Sequence, residues 1–284
     1  MPFWRLFVRM YQYLKRKFTP SEPSLLSSKC LAQPNIARRW KEPVSAAHTD
    51  LICLLLFFLT GLCDSSAYKG WSCFLGMQTG NTIFLGLGAS HQPETRPWGW
   101  LKSIVSMLSF FLGAVAFSIG MRGAGALRRS TLFLSFFVQT LLILIAVSLI
   151  ETDITPLAFT NFDGDGLRDG EPPFLELVPI SILAFQSAGG MAFSRALGYS
   201  EMPTVVLTTV YFDIASDPRL TDCTTANPKR NRRLGGVVAL LIGAISGGWL
   251  SRSDGGMESS FWTAAGLKGV VAFAWLFWKA APIS

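Results

Sequence analysis

The sequence predicts an all-α polytopic membrane protein with about six transmembrane helices, two broken or re-entrant segments and a 3+3 inverted repeat. Three observations predict it. Half of the 284 residues are hydrophobic, and they come in long blocks rather than one-sided stripes; a bilayer-crossing helix needs such a block of roughly 20 residues. Charged residues make up 15% of the chain, against roughly 25% in an average soluble domain. The bases behind the formal charge of +7 gather between the blocks, as in the cytoplasmic flanks of membrane proteins. This composition excludes a disordered chain, a collagen and a disulfide-rich secreted module. No recognition motif accompanies the positive charge, so the expected partner is the lipid bilayer and not nucleic acid. Cys30, Cys53, Cys63, Cys73 and Cys223 form no CxxC pair, so no metal site or cofactor is expected.

Residues 1–49 hold nine bases (Arg5, Arg9, Lys15, Arg16, Lys17, Lys29, Arg38, Arg39, Lys41) and two acids, Glu22 and Glu42. No continuous apolar core follows the basic start, so a secretory signal is not expected. At helical spacing Phe3, Phe7, Met10, Leu14 and Phe18 share one face, with Arg5, Arg9, Gln12 and Arg16 on another. That pattern predicts an amphipathic helix over 3–18 lying in the headgroup plane; an Arg-rich organelle presequence is the alternative. Residues 19–45 are polar and contain Pro and Ser, and read as a flexible cytosolic linker. Residues 1–45 are thus expected as a basic cytosolic extension and 46–284 as the transmembrane domain.

The first span is expected over 46–68, apolar from Leu51 to Cys63 and carrying Asp64 near its end. Further spans are expected over 98–120, 131–150, 177–194, 234–251 and 261–278. Two segments are ambiguous: 72–90 is uncharged but rich in Gly, Thr and Asn, and 204–215 is apolar but short and holds Asp213. Charge arbitrates. The N-terminal segment, the connection with Arg122, Arg128 and Arg129, and the stretch 212–233 are basic, whereas 151–176 has seven acids against Arg168. If both ambiguous segments dip in and return, every basic block falls inside and both termini are cytosolic, in the plasma membrane or an endomembrane. Seven or eight full spans, with Arg122, Arg128 and Arg129 outside, is the alternative. Three spans per half make the halves opposite in orientation, an arrangement that places a binding site near the bilayer midplane. Faint similarity links Gly61-Leu-Cys-Asp64-Ser65-Ser66 before Gln78-Thr79-Gly80-Asn81 with Leu183-Ala-Phe-Gln186-Ser187-Ala188 before Leu207-Thr208-Thr209.

The run Gly61-x-x-Asp64-Ser65, followed by Gln78-Thr79-Gly80-Asn81-Thr82, resembles the YoaK-like membrane family, a domain of unknown function numbered 1275. Phe185-Gln186 followed by small residues, then Val205-Val206-Leu207-Thr208-Thr209 and Asp213, is similar to its second half. The Asp217-Pro218 ending resembles the fungal branch. The resemblance extends from about residue 46 to the C-terminus. Ser65 and Ser66 stand where the family usually has Ala, and the acidic insert at 151–176 is particular to a subgroup. The resemblance implies a multi-spanning integral membrane protein and no established substrate or reaction.

Candidate site residues follow from chemistry. An ionisable group inside a span is costly and marks function by default, which singles out Asp64; a solvated interfacial cap is the other reading. Gly80 permits a helix break, and Thr79 and Asn81 can satisfy the freed backbone or coordinate a solute. Gly76 and Gly80 also have the GxxxG spacing of close helix packing. Gln186 and Thr208 are the counterparts in the second half. Lys268 lies mid-span and needs a partner; Asp64 and Asp213 are the candidates, and snorkelling is the alternative. Gly243-x-x-x-Gly247 reads as helix packing.

Residues 161–171 match an EF-hand at Asn161, Asp163, Asp165 and Gly166, but Arg168 and Pro172 break the pattern, so a solvated acidic turn is expected. His48 and His91 lie at expected membrane edges, and no GxSxG or HExxH motif is present, so no enzyme is expected. The expected function is transport of a small solute or ion through Asp64, Thr79, Gly80, Asn81, Gln186, Thr208 and Lys268. A non-transporting scaffold that binds partners through its basic extension is the alternative, and homo-oligomerisation is left open.

Overall fold

In the computed structural model, residues 36–92, 98–152, 174–199, 202, 204, 207–253 and 255–281 are described. The chain divides after Arg39, and the unit from Trp40 onward carries the fold. The amphipathic helix expected over 3–18 and the acidic loop at 161–171 lie outside the described residues. Nine helices occur among those described: α1 (Ile36–Lys41), α2 (Thr49–Trp71), α3 (Gln78–Ala89), α4 (Gly99–Ala124), α5 (Arg129–Glu151), α6 (Leu177–Ala196), α7 (Leu207–Ala215), α8 (Pro228–Leu250) and α9 (Glu258–Phe277). No strand occurs among these residues, and two isolated bridges join Pro43 to Arg128 and Val44 to Ala280. The linker expected through residue 45 therefore stops sooner. Residues 36–41 are helical, and Pro43 and Val44 are held by backbone pairing that a flexible linker would not make.

Six helices (α2, α4, α5, α6, α8 and α9) are long and apolar enough to cross a membrane. They run 20 to 26 residues, about 30 Å or more at roughly 1.5 Å per residue, which matches a bilayer core. α3 has 12 residues and α7 has nine; at about 18 and 14 Å neither reaches across. Both ambiguous segments are thus broken rather than spanning. α2 stops where Ser72 turns left-handed (φ 57°) and donates its N–H to the Tyr68 carbonyl at 2.9 Å, a helix-ending geometry. α8 starts at Pro228 behind Asn227, whose side chain accepts from the Arg230 N–H at 3.1 Å, the usual chemistry of an N-terminus.

α2 and α6 are the innermost helices. In each, 61% of the most apolar window is buried, against 22% in α4 and α8. The outer helices turn Leu108, Phe111 and Leu112 (α4) and Leu241, Ile242 and Ile245 (α8) outward, the surface that lipid covers. The closest packing is of α2 on α8, α4 on α6 and α5 on α9. Glycine permits two of these approaches. A Cβ at Gly243 would stand 2.0 Å from the Phe58 carbonyl oxygen, and one at Gly113 2.1 Å from that of Phe185. Gly243 and Gly247 therefore serve helix packing, as their spacing predicts. The spacing of Gly76 and Gly80 does not: Gly80, in the first turn of α3, lies against the ring of Phe74 in the loop just before that helix.

The basic connections share one end of the bundle. Val44 N–H donates to the Leu127 carbonyl and Ser45 N–H to that of Lys279, both at 2.9 Å. Arg129 donates to the Leu276 carbonyl at 2.6 Å, and Arg232 pairs with Asp50 at 3.3 Å. The segment before α2, the α4–α5 turn, the α7–α8 loop and the end of α9 thus lie together.

Candidate functional site

Asp64 sits two turns before the end of α2 and is 1% exposed, so it is not the solvated interfacial residue of the bland reading. Its Oδ1 accepts the N–H groups of Leu75 at 2.7 Å and Gly76 at 2.8 Å, and its Oδ2 accepts that of Met77 at 3.1 Å. These donors precede α3, where helix geometry leaves N–H groups unsatisfied and the helix dipole favours an anion. Asn81 braces the loop from its other side. Its Oδ1 accepts from the Phe74 N–H at 2.9 Å, and its amide donates to the Phe74 carbonyl at 2.8 Å and Gln78 Oε1 at 2.7 Å. Ser106 of α4 donates to the same carbonyl at 2.6 Å.

Lys268 of α9 is 5% exposed, which excludes snorkelling. Its Nζ donates to Gln139 Oε1 of α5 at 2.8 Å and Gln186 Oε1 of α6 at 2.6 Å. The expected partners are corrected: Asp64 is occupied by the loop, and Asp213 pairs with Arg233 at 3.1 Å. α7 packs on α8, so the base that Asp213 meets is one from α8. An ammonium has three donors, and the two glutamines take two.

Asp64, Cys63, Gly76, Gln186, Thr204 and Lys268 line one cavity of about 30 Å³, room for about one water. Ser187 of α6 ties the wall together by donating to the Leu75 carbonyl at 3.0 Å. Thr204 reaches the cavity from the second broken segment. It is 1% exposed, its φ of 55° is left-handed, and its Oγ1 has no hydrogen-bond partner. Both broken segments, through Gly76 and Thr204, therefore touch the same space. A carboxylate and an ammonium face that space without pairing to each other.

Of the residues singled out in the sequence, Asp64, Gln186 and Lys268 come together at this cavity. Asn81 and Gly80 shape the loop that Asp64 holds. Thr79 and Thr208 are exposed on the short helices and do not reach the cavity. Sequence reasoning missed Gln139 and Thr204. Gln139 had a signal, since it is the one amide in a long, mostly apolar run where a polar group needs an interhelical partner. Thr204 had none, because its burial depends on the fold. Among the described residues no group of three or more His, Cys, Asp or Glu is placed to hold a metal ion.

Six apolar spans around a buried polar cluster, with two helices too short to cross, define a multi-pass α-helical integral membrane protein. The site residues all fall within one family match. The chain belongs to the family described as a protein of unknown function, DUF1275, whose model matches residues 52–274. No curated protein and no solved structure matches the chain.

Proposed function

We propose that this protein is a transporter of a small solute or ion, not an enzyme, and that the cavity between Asp64 and Lys268 is its central site. One observation carries the proposal: two broken segments from different halves of the chain meet at one small cavity, lined by Asp64, Gln186 and Lys268 among apolar side chains, between the two innermost spans. Broken helices at a repeat interface are how many transporters build a site in lipid.

Helix pairing supports an inverted repeat. Exchanging the halves converts α2 on α8 into α6 on α4, α2 on α9 into α6 on α5, and α3 on α4 into α7 on α8, and each of these contacts occurs. The contact of α5 with α9 maps onto itself. Because each half has three spans, the halves run oppositely through the bilayer. The end that gathers the bases faces the cytosol by the positive-inside rule, which puts Trp40 and Ala281 on that side.

The test is thermal stability of the purified protein in detergent across a solute panel at fixed pH, since a ligand of the folded state raises its melting point. A solute-dependent rise in wild type that is lost in Asp64→Asn and Lys268→Met is expected. A rise of equal size in all three proteins would place the binding elsewhere. Orientation is tested with a Cys30→Ser variant. Cys223 is exposed while Cys53, Cys63 and Cys73 are buried, so an impermeant maleimide should label this variant only after the cells are opened.

A further inference from the structure

We infer that two equivalent ion pairs close the two ends of the protein, Lys102–Glu176 the outer end and Arg232–Asp50 the cytosolic end, and that the outer end is the one shut in this structure. The inference rests on the transporter reading and names the residues that control access to its site.

The equivalence lies in the spacing. α4 meets α6, and α8 meets α2, through a glycine against a phenylalanine carbonyl, Gly113 on Phe185 and Gly243 on Phe58. Lys102 stands 11 residues before Gly113, and Arg232 stands 11 before Gly243. Glu176 stands nine residues before Phe185, and Asp50 eight before Phe58. Each pair therefore ties together the first turns of two spans packed side by side, and exchanging the halves carries one pair onto the other. The same exchange carries Gln139 onto Lys268, each the eleventh residue of its helix, and these two bond to each other at 2.8 Å. Arg232 and Asp50 belong to the basic end. Lys102 begins α4, which runs 26 residues before the α4–α5 turn reaches that end, so the pairs are about one span apart.

Both pairs sit where a broken segment leaves its span. Lys102 and Glu176 act on Cys73, buried in the loop that Asp64 holds. Arg232 lies over the ring of Tyr199 at 4.8 Å, and the Tyr199 hydroxyl is 3.1 Å from Thr49 Oγ1; Tyr199 starts the connection from α6 to α7. These two connections give the cavity Leu75, Gly76 and Thr204. The pairs differ in exposure. The Lys102 and Glu176 side chains are 13% and 6% exposed, those of Arg232 and Asp50 28% and 31%. A buried pair that loses one member leaves a charge that must reach water, whereas a half-exposed pair is already screened. The outer end is thus the tighter closure, and rocking of one half against the other would loosen it as the cytosolic pair becomes buried.

The test uses Cys63, which lines the cavity, as the one cysteine left after Cys30→Ala, Cys53→Ala, Cys73→Ala and Cys223→Ala. A small impermeant methanethiosulfonate is applied from outside to intact cells and from the cytosolic side to inside-out vesicles. The parent should react faster from the cytosolic side. Glu176→Gln should raise the outside rate at least tenfold, Asp50→Asn should leave it unchanged, and the charge exchange Lys102→Glu with Glu176→Lys should return it to the parent value. An unchanged outside rate in Glu176→Gln overturns the inference. So does an equal rise from both sides, which is loosening of the whole bundle, or a rise that persists in the charge exchange. In the full chain with its native cysteines, Glu176→Gln should also speed amide hydrogen exchange at residues 72–77 and Asp50→Asn should not; equal exchange in the two overturns the inference whether or not the single-cysteine protein folds. Solute binding is read separately from melting, so unchanged rates beside a solute-dependent rise would leave a transporter closed by other residues.

Discussion

Replacing Gly243 by Ala tests the packing of α8 on α2, the helix that carries Asp64. The added Cβ would stand 2.0 Å from the Phe58 carbonyl oxygen, and real Cβ atoms essentially never come within 3.0 Å of such an atom. The α2 and α8 backbones must therefore separate by about 1 Å, and α2 carries Asp64. Overpacking of this kind costs about 1–3 kcal/mol. The better helix propensity of Ala returns about 1 kcal/mol, so a net loss of up to about 2 kcal/mol is expected. At roughly 2–4 °C per kcal/mol, melting in detergent should fall by up to about 8 °C. Gly248→Ala is the control on the same helix, because nothing lies within 4 Å of its added Cβ; its stability should be unchanged or slightly raised. Equal behaviour of the two variants would refute close approach of α2 and α8 at this point. A melting loss without any change at the cavity would show that α2 absorbs the shift before Asp64.

Other expectations follow from the same geometry. Asp64→Asn should lose about 1.5–3 kcal/mol, because an amide cannot accept all three loop N–H groups, and limited proteolysis should then cut near residue 74. Gln186→Leu should cost about 1–3 kcal/mol in wild type by stripping an acceptor from a buried ammonium. It should cost less in a Lys268→Met background, and a double-mutant cycle reads the difference. Outside the membrane, the Asn227 amide, and then the Arg219 N–H, hold the Asp217 carboxyl below its ordinary pKa. A lowered carboxylate pKa stabilises the fold fully above the ordinary value and is lost as pH falls through the lowered one. Hydrogen exchange of residues 217–231 should therefore accelerate in strong acid, and Asn227→Ala should move that acceleration to higher pH.

Much of the architecture was legible before any coordinates. Each expected span lies within a few residues of a helix, as 177–194 does with Leu177–Ala196 and 131–150 with Arg129–Glu151. Apolar runs of that length have one solution in lipid, since a helix alone satisfies its own backbone. The broken segments were legible through charge, because full crossings would have scattered the bases to both sides, and the structure gathers them at one end. Asp64, Gln186 and Lys268 could be singled out because polar groups inside spans are few.

The sequence by itself determined that the chain is a polytopic helical membrane protein, where its six long spans fall, and which spans carry polar groups; the short lengths of α3 and α7 and the burial of Asp64 and Lys268 came with the tertiary structure. The tertiary structure alone decided which of those groups meet. Lys268 turned to Gln139 and Gln186, 129 and 82 residues away along the chain, rather than to an acid. Asp64 closed on three N–H groups 11 to 13 residues ahead. Thr79 and Thr208 face outward although their motif suggested a site. The physical reason is that composition fixes how each helix sits in the bilayer, whereas rotation about its axis and choice of neighbour depend on packing. Here glycines such as Gly113 and Gly243 set how closely particular helices approach, and that approach decides which polar side chains share a cavity.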